Sequence, residues 1–184
     1  MDKRIELYWV EKYPNLFPGY HKTVWDTPMA RGFTCGNGWF YILDKLWKEL
    51  NKIPALEIGQ VKEKLGGLRV YRDPWATELI KKSLAFFDEK INTLIEDAVI
   101  KSLKTCEMCG AAGQRKNRNW TFTLCDNCHG KADLWSVSEQ TGNKIVRELG
   151  LRTMCESEED HIPDFHYKEC VCCGAKMVRG EWEV

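Results

Sequence analysis

Apolar positions along this chain follow two rhythms. Trp39, Ile42, Leu43, Leu46, Leu50 and Ile53 recur at three- and four-residue intervals, and Trp47 widens their stripe. That spacing predicts an amphipathic helix, which Pro54 stops and which Asn37 or its flanking glycines can open. An earlier helix is expected from Lys3 to about Tyr13, closed by Pro14. Between the two, Pro14, Pro18, Gly19 and Pro28 punctuate a loop that carries Phe17, Tyr20 and Trp25. The second rhythm has period two. Leu56, Ile58 and Gln60 alternate with charged or small residues, Gly66-Gly67 supplies a turn, and "LRVY" returns, which predicts a β-hairpin. Asp73-Pro74 then reads as an N-cap with proline at the first helical position. It opens one long helix with Ile80, Leu84, Phe87, Ile91, Leu94, Ile95, Ala98 and Val99 on one side, a stripe able to cover the hairpin and pack on the Trp39 helix. Leu134 to Arg152 predicts a further helix, with Gly150 near its end.

The expected class is α+β: helices packed on a β-hairpin over residues 1–104, a four-cysteine zinc ribbon over 105–130, and a C-terminal helix with a second zinc knuckle over 131–184. Of 184 residues, 43% are hydrophobic and 29% charged, ordinary for a globular chain. Lys plus Arg equals Asp plus Glu, so no global field favours nucleic acid or membrane, and any such binding needs a local patch. No run approaches the ~18 apolar residues of a membrane span. "MDKRIELYWVEKYPNL" has no apolar core of signal-peptide length. Nine cysteines without such a signal predict a reducing cytoplasm in which thiols serve as metal ligands.

Cys106, Cys109, Cys125 and Cys128 form C-x2-C-x15-C-x2-C. Each C-x-x-C folds as a knuckle that presents two thiolates, and "NWTFTL" between the pairs is long enough for a hairpin that joins them. Four soft thiolates suit tetrahedral Zn²⁺, ahead of a rubredoxin-like iron or two disulfides, and a closed shell of this kind is structural. "KECVCCGAKM" repeats the K-x-C-x-x-C-G-A of "KTCEMCGAAG". Cys170 and Cys173 are therefore expected to complete a second zinc site with Cys155 and His161, His166 being the alternative fourth ligand. A tail of free thiols is the competing reading. Cys35 precedes a helix, but a buried or turn cysteine is favoured over a nucleophile there.

Two basic clusters stand out. Lys62, Lys64 and Arg69 flank the glycine turn and could hold an anion such as a nucleotide with the turn's N–H groups. Arg115, Lys116 and Arg118 surround Trp120 in the ribbon, a pattern that could bind nucleic acid or simply offset the thiolate charge. Most of the eight tryptophans are expected in the core, with Trp25, Trp135 and Trp182 left for a partner surface. "LCDNCHGKAD" is similar to the second knuckle of HNH nucleases, but no histidine lies between Cys109 and Cys125 to serve as that family's general base. A degenerate nuclease through His129 is thus a lesser alternative.

"CGNGW", "QVKEKLGGLRVY" and "KTCEMCGAAG…TLCDNC" together resemble a family of small bacteriophage and prophage proteins reading C-G-x-G-W, Q-V-K-E-K-F-G-G-L-R-F-Y and C-x-x-C-G. The likeness covers roughly residues 30 to 130. This chain has Leu65 and Val70 where that pattern has phenylalanine, and adds the C-terminal knuckle. The resemblance implies a phage origin and a host cytoplasm, and it lends no activity. The expectation is a non-enzymatic accessory protein that binds, and inhibits or redirects, a host protein. Nucleic-acid binding and nucleotide sequestration are the alternatives.

Overall fold

A computed structural model describes residues 1–75 and 77–151, with Glu78 as backbone only. Beyond these it describes the backbone of four short strands. The order is α1 (Lys3–Lys12), β1 (Phe33–Thr34), α2 (Phe40–Leu50), β2 (Ile58–Lys64), β3 (Gly67–Arg72), α3 (Glu78–Ala85), α4 (Asp88–Ser102), β4 (Gln114–Asn117), β5 (Thr121–Leu124), α5 (Asp126–His129) and α6 (Leu134–Glu148). The C-terminal strands are β6 (Pro163–Asp164), β7 (Glu169–Cys170), β8 (Lys176–Val178) and β9 (Glu181–Glu183), paired in that order. The architecture is mixed α+β with small sheets. Among the described residues, no helix is long and apolar enough to cross a membrane.

Helix α1 starts where Asp2 accepts from the Arg4 N–H and ends before Pro14. It buries Ile5, Trp9 and Val10. Trp9 stacks on Phe40 of α2 at 5.1 Å, meets Trp47 edge-on at 6.3 Å, and donates its Nε1–H to Asp44 at 2.9 Å. Phe17, from the proline-rich loop, lies edge-on to both Trp47 and Phe33 at 5.2 Å. Such offset and T-shaped pairs suit the ring quadrupoles and add ~0.5–1.5 kcal/mol each beyond area burial. The loop is thus part of the core: Leu16, Phe17, Tyr20 and Met29 are buried, and the Leu16 carbonyl accepts from the Ile58 N–H at 2.8 Å.

The central sheet runs β1-β2-β3, with β1 parallel to β2 and β2 antiparallel to β3. Several expectations shift here. The alternation Leu56, Ile58, Gln60 is broken because the register slips between Ile58 and Gln60. The extra residue, Gly59, reverses the faces, so Val61 becomes buried and Gln60, Lys62 and Lys64 turn outward. The central pair of the turn is Leu65-Gly66, both at positive φ (56° and 79°), and not Gly66-Gly67. Two-residue hairpin loops of this twist demand positive φ at both positions.

The long helix expected after Asp73 is two helices. Thr77, not Asp73, caps α3 by accepting from the Ile80 N–H, while Asp73 accepts from the Trp75 N–H in a turn. The break falls at Phe86-Phe87, which form a turn between the helices, with Phe87 at φ −103°, ψ 0°. Asp88 and Glu89 then suit the start of α4, and Asp88 also pairs with Arg72 of β3. Leu84, Ile91 and Ala98 remain buried on the expected side.

Helix α6 returns to the main core. Ile145 and Val146 pack in the same cluster as Trp9 and Leu43. Asn37 joins three segments: its side chain accepts from the Asp2 N–H and donates to the Ser138 carbonyl, both at 2.8 Å, while its own N–H donates to Ser138 Oγ at 3.0 Å. The tryptophan expectation fails in part. Trp9, Trp39 and Trp47 are buried, but Trp25, Trp75, Trp120 and Trp135 are exposed. Trp135 sits in the first turn of α6 rather than in an irregular segment, and Trp182 has only its backbone described.

Candidate metal centre

The first knuckle follows α4 directly. Cys106 donates its N–H to the Ala111 carbonyl at 2.7 Å and its carbonyl accepts from Gly110 at 2.9 Å. Gly110, at φ +80°, makes the reversal that a Cβ would disfavour. Strands β4 and β5 pair antiparallel, Gln114 with Leu124 through Asn117 with Thr121, and deliver the second knuckle. There Cys125 caps α5, its Sγ accepting from the Cys128 N–H at 3.4 Å.

The four thiols lie within 4.8 Å of one another and form a group that could hold a metal ion. Cys109 and Cys125 Sγ are 3.7 Å apart. Cys106 and Cys128 are fully buried, with Met108, Leu124 and Leu134 around them. Burial raises the Cys109 and Cys128 thiols above their ordinary range, most strongly Cys128. At Cys125 burial acts the same way, but hydrogen bonds from Cys128 and the neighbouring thiols outweigh it and the thiol is lowered. Among the described residues this is the one group of three or more potential ligands. His129 stands exposed at the end of α5 and outside the cluster. For the second site, Cys155, His161, His166 and Cys173 lie outside the described residues, and Cys170 is described only as backbone in β7.

Sequence reasoning missed what the first knuckle rests on. The "CGNGW" loop lies flat against it. Gly38 donates to the Glu107 carbonyl at 2.7 Å, Gly36 donates to Glu107 Oε1 at 2.8 Å, and Trp39 Nε1 donates to the Thr105 carbonyl at 2.8 Å. A Cβ on Gly38 would stand 2.3 Å from the Cys106 oxygen, and one on Gly36 would stand 2.4 Å from the Glu107 oxygen. Two glycines bracketing Asn37 were the available signal for such an approach. Glu107 is 1% exposed, its Oε2 has no hydrogen-bond partner among the described residues, and burial pushes its carboxyl up to about 7. Cys35 is buried, which pushes its thiol up to about 12, as suits a core cysteine and not a nucleophile.

The hairpin tip docks on the ribbon as well. Thr123 Oγ1 donates to the Gly66 carbonyl, and Trp120 Nε1 donates to Glu63 Oε2 at 3.0 Å. The two basic clusters are therefore neighbours. The Gly66 amide, expected to face an anion, donates to Glu63 Oε1 at 2.6 Å. Lys62 Nζ lies 5.2 Å from the Tyr71 ring centroid and Arg69 Nη1 donates to the Leu68 carbonyl at 2.8 Å. Lys116 pairs with Asp126 at 2.9 Å, whereas Arg115 and Arg118 are exposed.

No known family model, curated protein or solved structure matches this chain.

Proposed function

We propose that the chain is a zinc-stapled binding protein without catalytic chemistry of its own, and that it docks a protein of the host cell. The observation that carries the reading is the outward face of α3. Leu79 and Phe86 are 79% and 87% exposed, and Trp75 just ahead of the helix is 62% exposed. Leu79 and Phe86, the C-cap of α3 with helical backbone angles, are seven residues apart and so lie on one side of the helix. Large apolar and aromatic side chains left in water along one short segment favour a protein interface, where a few such anchors carry most of the binding energy.

Zinc is the metal this reading assigns. A tetrahedron with Zn–S bonds of ~2.3 Å has edges of about 3.8 Å, and the Cys109–Cys125 separation of 3.7 Å fits it. Four thiolates fill the shell and leave no position for a reacting water, which supports a structural role. The test has two arms. Metal analysis of the purified protein should return zinc; iron would overturn the assignment. Immobilised wild type and a Leu79→Glu/Phe86→Glu variant with an unchanged melting curve should then be exposed to bacterial lysate. The reading stands if a protein retained by the wild type is lost on the variant, and falls if both retain the same proteins or neither retains any.

A further inference from the structure

The outward face of the central sheet, continued onto the ribbon, forms a site the protein-docking reading does not use. Directly opposed residues of an antiparallel pair share a face. Lys62 opposes Arg69 and Gln60 opposes Tyr71, so Lys62, Arg69 and Tyr71 stand together, with Lys64 next along β2. Arg115 opposes Thr123, and Thr123 is the residue that bonds the hairpin tip at Gly66. Arg115 therefore projects from the ribbon on the side that meets the hairpin, while Trp120, 52% exposed, is held at the hairpin tip by Glu63, which opposes the buried Leu68 and so belongs to the other face of the strand pair.

Like charges directly opposed across two strands weaken a sheet. Yet among the described residues none of Lys62, Lys64, Arg69 and Arg115 forms an ion pair. The adjacent carboxylate, Glu63, is occupied by the Gly66 N–H and the Trp120 Nε1–H. Four cations without an ion-pair partner among the described residues, with an exposed tyrosine on their face and an exposed tryptophan at the hairpin tip, match a ligand that alternates anionic and flat aromatic groups.

We propose that this surface binds single-stranded nucleic acid running round the hairpin tip, its phosphates meeting Lys62, Lys64, Arg69 and Arg115 and its unpaired bases stacking on Tyr71 and, past the tip, on Trp120. A duplex hides its bases from such a platform, while a single strand presents them. The geometry does not distinguish DNA from RNA, because both supply the same phosphates and ring faces.

The experiment is fluorescence anisotropy of the full metal-loaded chain with labelled oligothymidylate, oligouridylate and a duplex of equal length, from about 50 mM to about 200 mM salt. One of the single strands should bind more tightly than the duplex. Four phosphate contacts predict a slope of log K against log salt near −2.8, at about −0.7 per contact. Lys62→Gln/Arg69→Gln should halve that slope. Trp120→Ala should weaken binding about tenfold with the slope unchanged, and Trp120→Phe should restore most of it. Melting curves of the variants separate these effects from misfolding. The proposal fails if no oligonucleotide binds at the lowest salt, if the duplex binds as tightly as the better-bound strand, or if well-folded variants bind like the wild type. It fails equally if polyglutamate competes as well as the unlabelled strand, since the face would then recognise charge alone.

Discussion

Replacing Gly38 by alanine tests how firmly the first cysteine knuckle is seated on the rest of the protein. The new Cβ would meet three backbone atoms of the knuckle: the Cys106 oxygen at 2.3 Å, the Gly110 nitrogen at 2.5 Å and the Glu107 oxygen at 2.6 Å. Ordinary contact begins near 3.4 Å, so the two backbones would have to part by about an ångström. None of these atoms is the end of a flexible side chain that could swing aside. Overpacking of this kind costs ~1–3 kcal/mol. Parting also stretches the 2.7 Å bond from the Gly38 N–H to the Glu107 carbonyl, and an unsatisfied buried pair costs a further ~1–3 kcal/mol. The expected loss is roughly 2–6 kcal/mol, a Tm decrease on the order of 10 °C for a chain of this length. The assay is thermal melting of the metal-loaded protein, with Gly130→Ala as the reference. A Cβ on Gly130 meets nothing closer than 3.9 Å, and its φ is −77°, so that variant should melt within about 2 °C of the wild type. Gly38→Ala should also release its metal to a chelator faster, because the strain falls on the backbone that orients Cys106 and Cys109. A Gly38→Ala protein that melts with the wild type would refute the close approach.

Three further outcomes are expected. Leu65 holds φ +56°, which costs an L-residue ~1–2 kcal/mol; Leu65→Asn should raise stability by about 1 kcal/mol in urea unfolding, and a loss would mean that the leucine side chain holds the tip. Glu6 is 1% exposed, and its carboxyl is raised by burial despite the Met1 amine, Lys3 and Tyr20. A raised folded value means that its contribution is complete below the ordinary 4.5 and is lost as pH climbs through the folded value. The wild type should therefore lose stability relative to Glu6→Gln as pH rises from 4.5 towards neutrality, and parallel pH profiles would contradict this. Finally, native mass spectrometry should find two zinc ions in the wild type and one in Cys170→Ser/Cys173→Ser; a single ion in both would leave the C-terminal thiols without a metal role.

The elements that were legible are those whose signal is local. The helices α1, α2 and α6 each show their period within a dozen or so residues, and the Cys106/Cys109 and Cys125/Cys128 pairs each carry their own knuckle. What failed depended on contacts that a local pattern does not encode. The Gly59 bulge moves Val61 into the core by adding one residue against β3, and alternation counted from Leu56 is blind to it. Helix α3 was extended into α4 because Leu84, Phe87 and Ile91 keep helical spacing across the break. Trp75 falls with the tryptophans expected in the core, yet it is more than half exposed.

The "CGNGW" loop, the glycine hairpin and the cysteine ribbon are far apart in sequence, and the hairpin and the ribbon, read alone, each suggest a ligand of their own. Together they are three sides of one junction. The loop's glycines exist to let the Cys106 knuckle approach, and the hairpin's Gly66 carbonyl accepts from Thr123 of the ribbon. Leu134 and Val137 of α6 close the small cluster around the cysteines, while Ile145 and Val146 of the same helix lie in the main core. A cluster as small as Met108, Leu124 and Leu134 buries too little to hold four cysteines in place without a staple or a neighbour, and here the neighbours are built in. A metal bound by these cysteines would therefore hold more than the ribbon. Through Glu107 and Thr123 it would fix the position of the hairpin tip, and with it the spacing between Lys64, Arg115 and Trp120. Metal loss should then loosen that face even though none of its charged residues is a ligand.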